Sequence, residues 1–279
     1  MFVAGPPTAG EQTGGGTRVR AAASRFFDGP TGLAPNPSLP GYVADLAAPF
    51  GLEVRADLIE QGAGHSYGEM CLPLLADLVS EEQPADLLVL ATAIPDVRLG
   101  RATATYLSWH CPGAPLGFAV CDQGLLAAFT ALHLVDGYAH TGGCRRAVLL
   151  VAEQPTLFHE LPVPTPVPDR AAAVGVVLEA DGGAPSVRRH TEVGEQDAAG
   201  VLAADVADHE PAAVLLGAHL AGLAADLDSD VRVCEENQPF TGVWLELARG
   251  LPGLREKQVL LAEYDPTLRQ LFSAVVRCG

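Results

Sequence analysis

The order of apolar and helical stretches constrains this chain more than any single residue does, because that order occurs twice. From about residue 66, near-continuous apolar runs of strand length alternate with stretches of helical periodicity. A helix over about Ser66 to Val79 leads to strand DLLVLATA at 86–93, a helix from about Leu99 to Trp109, and strand LGFAV at 116–120. A long helix from about Leu125 to Ala139 follows, closed by Thr141-Gly142-Gly143. Strand AVLLVAE at 147–153, a Pro-rich excursion LPVPTPVPDR, and strand AAAVGVVLEA at 171–180 complete the first copy. The second copy has shorter elements: a helix from about Gln196 to Ala207, strand AAVLLGA at 212–218, a helix from about Leu220 to Leu227, and strand VRVC at 231–234. A helix from about Thr241 to Arg249 and strands QVLLAEY and FSAVVRC end it. Each copy reads helix, strand, helix, strand, helix, strand, strand.

Strands that are apolar along their whole length belong to sheets covered on both faces, and two copies imply a pseudo-duplicated α/β sandwich. An ordinary doubly wound sheet is the competing arrangement. Before residue 65 the chain is rich in Gly and Pro, with one strand predicted from Arg18 to Phe27 and a looser one around Leu52 to Ile59. We divide it into a flexible tail at 1–16 and two halves at 17–185 and 186–279.

Composition excludes several function classes. Seventeen basic against 34 acidic residues give a formal net charge of -17, which repels phosphate backbones and anionic lipid, so nucleic acid is not an expected partner. Charged residues or His interrupt every hydrophobic stretch before the roughly 18 uncharged residues of a membrane span, so no membrane span is expected. The N-terminal residues lack a basic start and an apolar run of signal-peptide length, and a cytoplasmic location is expected. The cysteines at 71, 111, 121, 144, 234 and 278 show no CxxC pair, and the histidines lack paired spacing, so no metal site is expected.

The segment LGFAVCDQGLLAAFTALHLVDGYAHTGGCRRAVLLVAE, with VLLGAHLAGL and CEENQPFTGVWLEL downstream, resembles the thiolase superfamily in its ketoacyl synthase III branch over roughly residues 66–279. The resemblance implies a five-layered α-β-α-β-α sandwich with two pseudo-duplicated halves. In that family a strand runs into a nucleophilic Cys at the start of a long buried helix, where the helix dipole and free amides stabilise thiolate and oxyanion. Aligning the helix without gaps puts Leu125 at that position, and aligning from Phe118 puts Gly124 there. Neither can attack a thioester. Cys121 lies three or four residues earlier at the strand end, as a displaced nucleophile or a plain strand thiol. Gln123 invites comparison with family members in which Gln replaces the Cys.

The family's His, in His-Gln-Ala-Asn at a strand end, corresponds to His219, and its Asn, in Gly-Asn-Thr-Ser before a helix, to Asn237. The pair then forms the donors of an oxyanion site, against the alternatives of a core histidine and a helix cap. The Gly-Gly-Gly-Phe turn between the last two strands is replaced by Asp265-Pro266-Thr267, and a proline lacks the amide donor such a turn supplies.

Three functions follow from the resemblance. The first is a degenerate subunit paired with a Cys-bearing ketosynthase in fatty-acyl or polyketide-type natural-product biosynthesis. The second is a stand-alone acyltransferase or decarboxylase using His219 and Asn237. The third is a condensing enzyme with Cys121 as nucleophile. All imply a thioester of coenzyme A or of acyl carrier protein phosphopantetheine as substrate, no resident cofactor, and a homodimer or a heterodimer with a related ketosynthase.

Overall fold

A computed structural model describes residues 17–29, 31, 36–160, 166–180, 187–227, 229–234 and 237–279. The tail expected at 1–16 and the start of the Pro-rich excursion, 161–165, lie outside the described residues. The first unit comprises β1 (Thr17–Phe27), α1 (Leu39–Ala47), α2 (Ala56–Glu60), α3 (Tyr67–Leu78), β2 (Leu87–Thr92), α4 (Thr103–His110), β3 (Leu116–Val120), α5 (Ala127–His140), β4 (Arg146–Glu153) and β5 (Ala171–Ala180). The second comprises β6 (Val187–His190), α6 (Ala198–His209), β7 (Ala213–Leu216), a 3₁₀ segment Ala218–Asp226, β8 (Val231–Val233), α7 (Gly242–Leu254), β9 (Gln258–Asp265) and β10 (Gln270–Cys278).

The two units have one topology. The first runs β3-β2-β4-β5-β1 and the second β8-β7-β9-β10-β6, so each reads third, second, fourth, fifth, first in its own strand count. In each, the second strand pairs in parallel with the third and fourth, and the fifth pairs antiparallel with the fourth and first. The units join where β1 lies parallel to β10, at Arg18–Arg277 and Val19–Cys278. The apolar pattern alone leaves β1 outside the repeat and gives no sign of β6; with both included, each unit opens on a strand.

Side-chain parity builds five layers. Leu87, Val89 and Ala91 of β2 and Ala147, Leu149 and Val151 of β4 face a central core shared with α5 and α7. Their alternates, Leu88, Leu90, Val148 and Leu150, face an outer core with α3 and α4. In the second unit Leu215 and Leu261 face the central core, while Val214, Leu216 and Leu260 face α6 and the 3₁₀ segment. Phe129 of α5 and Trp244 of α7 meet edge to face at 5.5 Å between ring centroids, locking the middle layer. Fully burying each such aliphatic side chain contributes roughly 1.5–3 kcal/mol, which is why both faces are apolar.

Several expectations shift. The second half of the strand expected at 52–59 is helix α2, because Leu52, Val54 and Leu58 mimic a two-residue period while only Val54 bridges, to His159. The α1 helix is hidden by the Gly and Pro density around it, although Pro40 sits in its first turn where no amide is lost. The helix expected from Leu99 begins at Thr103, and in place of that expected at 220–227 stands the 3₁₀ segment Ala218–Asp226. No described helix is long and apolar enough to cross a membrane.

Candidate functional site

Strand parity carries polar groups into the middle layer at the carboxyl ends of β4 and β9. Each of these strands is eight residues long, each is the fourth of its unit, and each ends on a carboxylate, Glu153 and Asp265. Continuing the inward rows 147, 149, 151 and 259, 261 brings Glu153, Glu263 and Asp265 inside, where they are 2%, 3% and 4% exposed.

Asp265 reaches the start of the helix that the sequence points to. Its Oδ2 accepts the Leu125 amide at 3.0 Å, while Oδ1 accepts the amides of Thr267 and Leu268, both at 2.9 Å. Leu125 lies in the 3₁₀ turn Gly124–Leu126 that runs into α5. Gly124 has φ +54°, and a β-carbon there would collide with Asp265 Oδ2, so a glycine is required twice over. Glu153 does the same for α7. It accepts the Phe240 amide at 3.0 Å, the Thr241 amide at 2.9 Å, and the Thr241 hydroxyl. Since α5 and α7 are equivalent helices, each half supplies, from the end of its fourth strand, the carboxylate that caps the central helix of the other half. Anions at helix N-termini are favoured by the dipole and the free amides.

Burial penalises the charge of Glu153 and of Glu263. Burial raises Glu153 to about 7, against the hydrogen bonds from Thr241 and Phe240 that hold it down. Burial raises Glu263 further, to about 8; the hydrogen bond from the Tyr264 amide at 3.0 Å opposes this, and the charges of Asp265 and Glu153 add to it. The Glu263 carboxylate lies in the space a β-carbon of Gly217 would fill, two residues before His219. Cys234 is pushed up to about 12 by burial and by the Glu263 charge.

The residues singled out from sequence are not gathered into one buried constellation. Leu125 is buried with its amide taken, and the Gln123 side chain turns along α5 to accept the Thr130 hydroxyl. His219 and Asn237 are both exposed, and neither side chain has a hydrogen-bond partner among the described residues. Asn237 does accept the Asp169 amide at its carbonyl, at 3.1 Å. Cys121 is exposed, with its thiol donating to Asp122 Oδ2 at 3.2 Å, and partial burial together with the Asp122 charge raises its pKa, which disfavours the thiolate. Among the described residues no group of three or more His, Cys, Asp or Glu is placed to hold a metal.

The duplicated topology, the five layers and the two helix starts facing paired strand ends define a thiolase-like fold. No family model and no curated protein matches the sequence. Among solved structures, the chain is similar to a 3-oxoacyl-[acyl-carrier-protein] synthase III from Aquifex aeolicus VF5, at 14% identity and a TM-score of 0.62, covering 94% of this chain and 100% of that one. It is similar also to a tetronic acid condensing enzyme, at 17% identity and 0.63, covering 94% and 100%, and to an acyltransferase, at 15% and 0.61, covering 94% and 97%. At these identities the likeness is one of fold.

Proposed function

We propose that this chain is a non-condensing, synthase III-like subunit that works beside a Cys-bearing ketosynthase on acyl thioesters of coenzyme A or acyl carrier protein. The observation that carries the reading is the Leu125 amide. The residue at the resemblance's nucleophile position has no reactive side chain, and its backbone donor, the natural partner of a thioester oxyanion, is bonded to Asp265. An internal carboxylate in that place repels a second negative charge developing beside it. The net charge of -17 also disfavours direct docking of an acidic carrier protein and fits a role in which the partner presents the carrier site.

Intact-mass spectrometry after exposure to isotopically labelled acetyl- and malonyl-CoA tests this. The expected result is no adduct on the chain alone and a labelled cysteine on the partner ketosynthase in the mixture. An acyl group on Cys121, with activity lost in Cys121→Ala, would restore the condensing mechanism. Turnover by the chain alone that disappears in His219→Ala would restore the stand-alone enzyme.

Partner contact is assigned to β3. Among the described residues it pairs with β2 alone and ends the sheet, and Leu116 on it is 56% exposed, while Trp109 of α4, the helix before it, is 83% exposed. Edge-to-edge pairing about a twofold axis would cover both. Leu116→Lys combined with Ala119→Lys places like charges across such an axis, and light scattering at micromolar concentration is expected to shift from dimer to monomer. A wild-type protein that is monomeric alone and with the ketosynthase would remove the assignment.

A further inference from the structure

Two cavities flank a small apolar cluster built on Val43, Ile59, Val97 and Phe158 at the end of the first unit. The larger, of about 610 Å³, lies between the end of α2 and the segment joining β2 to α4. Ligand pockets commonly span roughly 300–1,000 Å³, so its size suits a small organic molecule. Its apolar surface comes chiefly from Ile59, Val97, Leu99 and Phe158, and the charged side chains lining it are Arg98 and Arg101, with no carboxylate among its described lining residues. Behind them Glu69 pairs with both, and Asp96 lies 4.0 Å from Arg101, so Arg101 is charge-compensated and Arg98 is the lining cation left to meet an anion.

The two arginines are held differently. Arg101 is clamped, donating from Nη1 to Glu69 Oε1 at 2.8 Å and from Nη2 to Glu69 Oε2 at 2.9 Å, with its guanidinium 4.3 Å from the centroid of the Tyr106 ring. Arg98 makes one long contact with the same glutamate, 3.4 Å from Nη1, and its side chain is 44% exposed. A guanidinium has five donors in a planar fork that matches a carboxylate in two parallel bonds, and among the described residues Arg98 meets only Glu69 with its side chain.

We propose that this cavity binds a free medium-chain carboxylic acid, its tail against Ile59, Val97, Leu99 and Phe158 and its carboxylate on the Arg98 fork. The wall combines an apolar surface for the methylenes with a cation at the rim, and neither half alone explains the other. This site is independent of the helix caps, since none of the residues at Asp265 or Glu153 lines the cavity.

Isothermal titration of the full chain with sodium octanoate and sodium decanoate, each below its micelle concentration, and with neutral octanol, tests it. The expected result is saturable one-to-one binding, with decanoate roughly tenfold tighter than octanoate for its two further buried methylenes, and octanol at least tenfold weaker than octanoate. Arg98→Gln, an exposed substitution expected to leave the melting temperature unchanged, should weaken octanoate at least tenfold and leave octanol as it was. Absence of saturable heat, equal affinity for octanoate and decanoate, octanol binding as well as octanoate, or an unaffected Arg98→Gln variant would each overturn the assignment.

Discussion

Asp265→Ala is expected to lower the unfolding free energy by about 3–5 kcal/mol, measured by urea titration at pH 6. The carboxylate it removes takes three backbone amides, those of Leu125, Thr267 and Leu268. A buried donor left without its acceptor costs roughly 1–3 kcal/mol. Leu125 bears that cost in full because its bond is buried, whereas Thr267 and Leu268 are part-exposed and recover some of the loss from water. Asp265→Asn should lose about half as much, because an amide oxygen still serves Thr267 and Leu268 while its NH₂ faces the Leu125 donor. Gly124→Ala provides an independent check, since its β-carbon displaces the same carboxylate and its φ of +54° is costly for alanine. Acyl labelling of the Asp265→Ala protein should remain absent, because a freed amide at Leu125 supplies a donor and no nucleophile. An Asp265→Ala variant within about 1 kcal/mol of wild type would show that the cap is not a structural interlock.

The legible parts of this fold are those in which local pattern and tertiary environment agree. Strands β2, β4 and β9 are apolar on both faces because helices cover both, and that is written in LLVLAT and AVLLVAE without reference to the rest of the chain. Strand β6, VRRH, gives no such signal. It is an edge strand whose Arg188 and His190 turn to the buried Asp205 at 2.8 and 2.9 Å, so its polarity reflects a partner 15 to 17 residues away. The site shows the same division. An apolar Leu125 where the resemblance expects a nucleophile can be read from one segment. The carboxylate that takes its amide lies 140 residues away in sequence, and no local pattern joins the two. A usable signal does exist: Glu153, Glu263 and Asp265 continue the inward parity of their strands, and a carboxylate on such a row must find donors or stay protonated. Motif position sets His219 and Asn237 at element ends, which the fold respects, but their exposure depends on how the 3₁₀ segment and the start of α7 leave the sheet.

Glu263→Gln is expected to change the pH dependence of stability more than any other single substitution. Glu263 is buried, receives among the described residues one hydrogen bond, from its chain neighbour Tyr264, and feels the charges of Asp265 and Glu153. Its pKa is about 8 in the folded protein against 4.5 for the ordinary group. Between those values the folded chain holds a proton that the unfolded chain has released, so stability falls as pH rises. The contribution is complete below pH 4.5 and lost by about pH 8, at roughly 1.4 kcal/mol for each pH unit of that interval. Glu153, raised to about 7, adds a slope of the same sign that ends earlier. Glutamine keeps an oxygen for the Tyr264 amide and cannot ionise. Urea unfolding from pH 5 to 9 should therefore find the two proteins similar at pH 5 and the variant more stable by several kcal/mol at pH 9. Between pH 7 and 8 the wild type should lose stability more steeply than Glu263→Gln, because in the variant only the second half of the Glu153 titration, centred at about 7, remains. Parallel curves for the two proteins across that interval would mean that Glu263 is already ionised in the fold, and that the interior around Gly217 tolerates its charge.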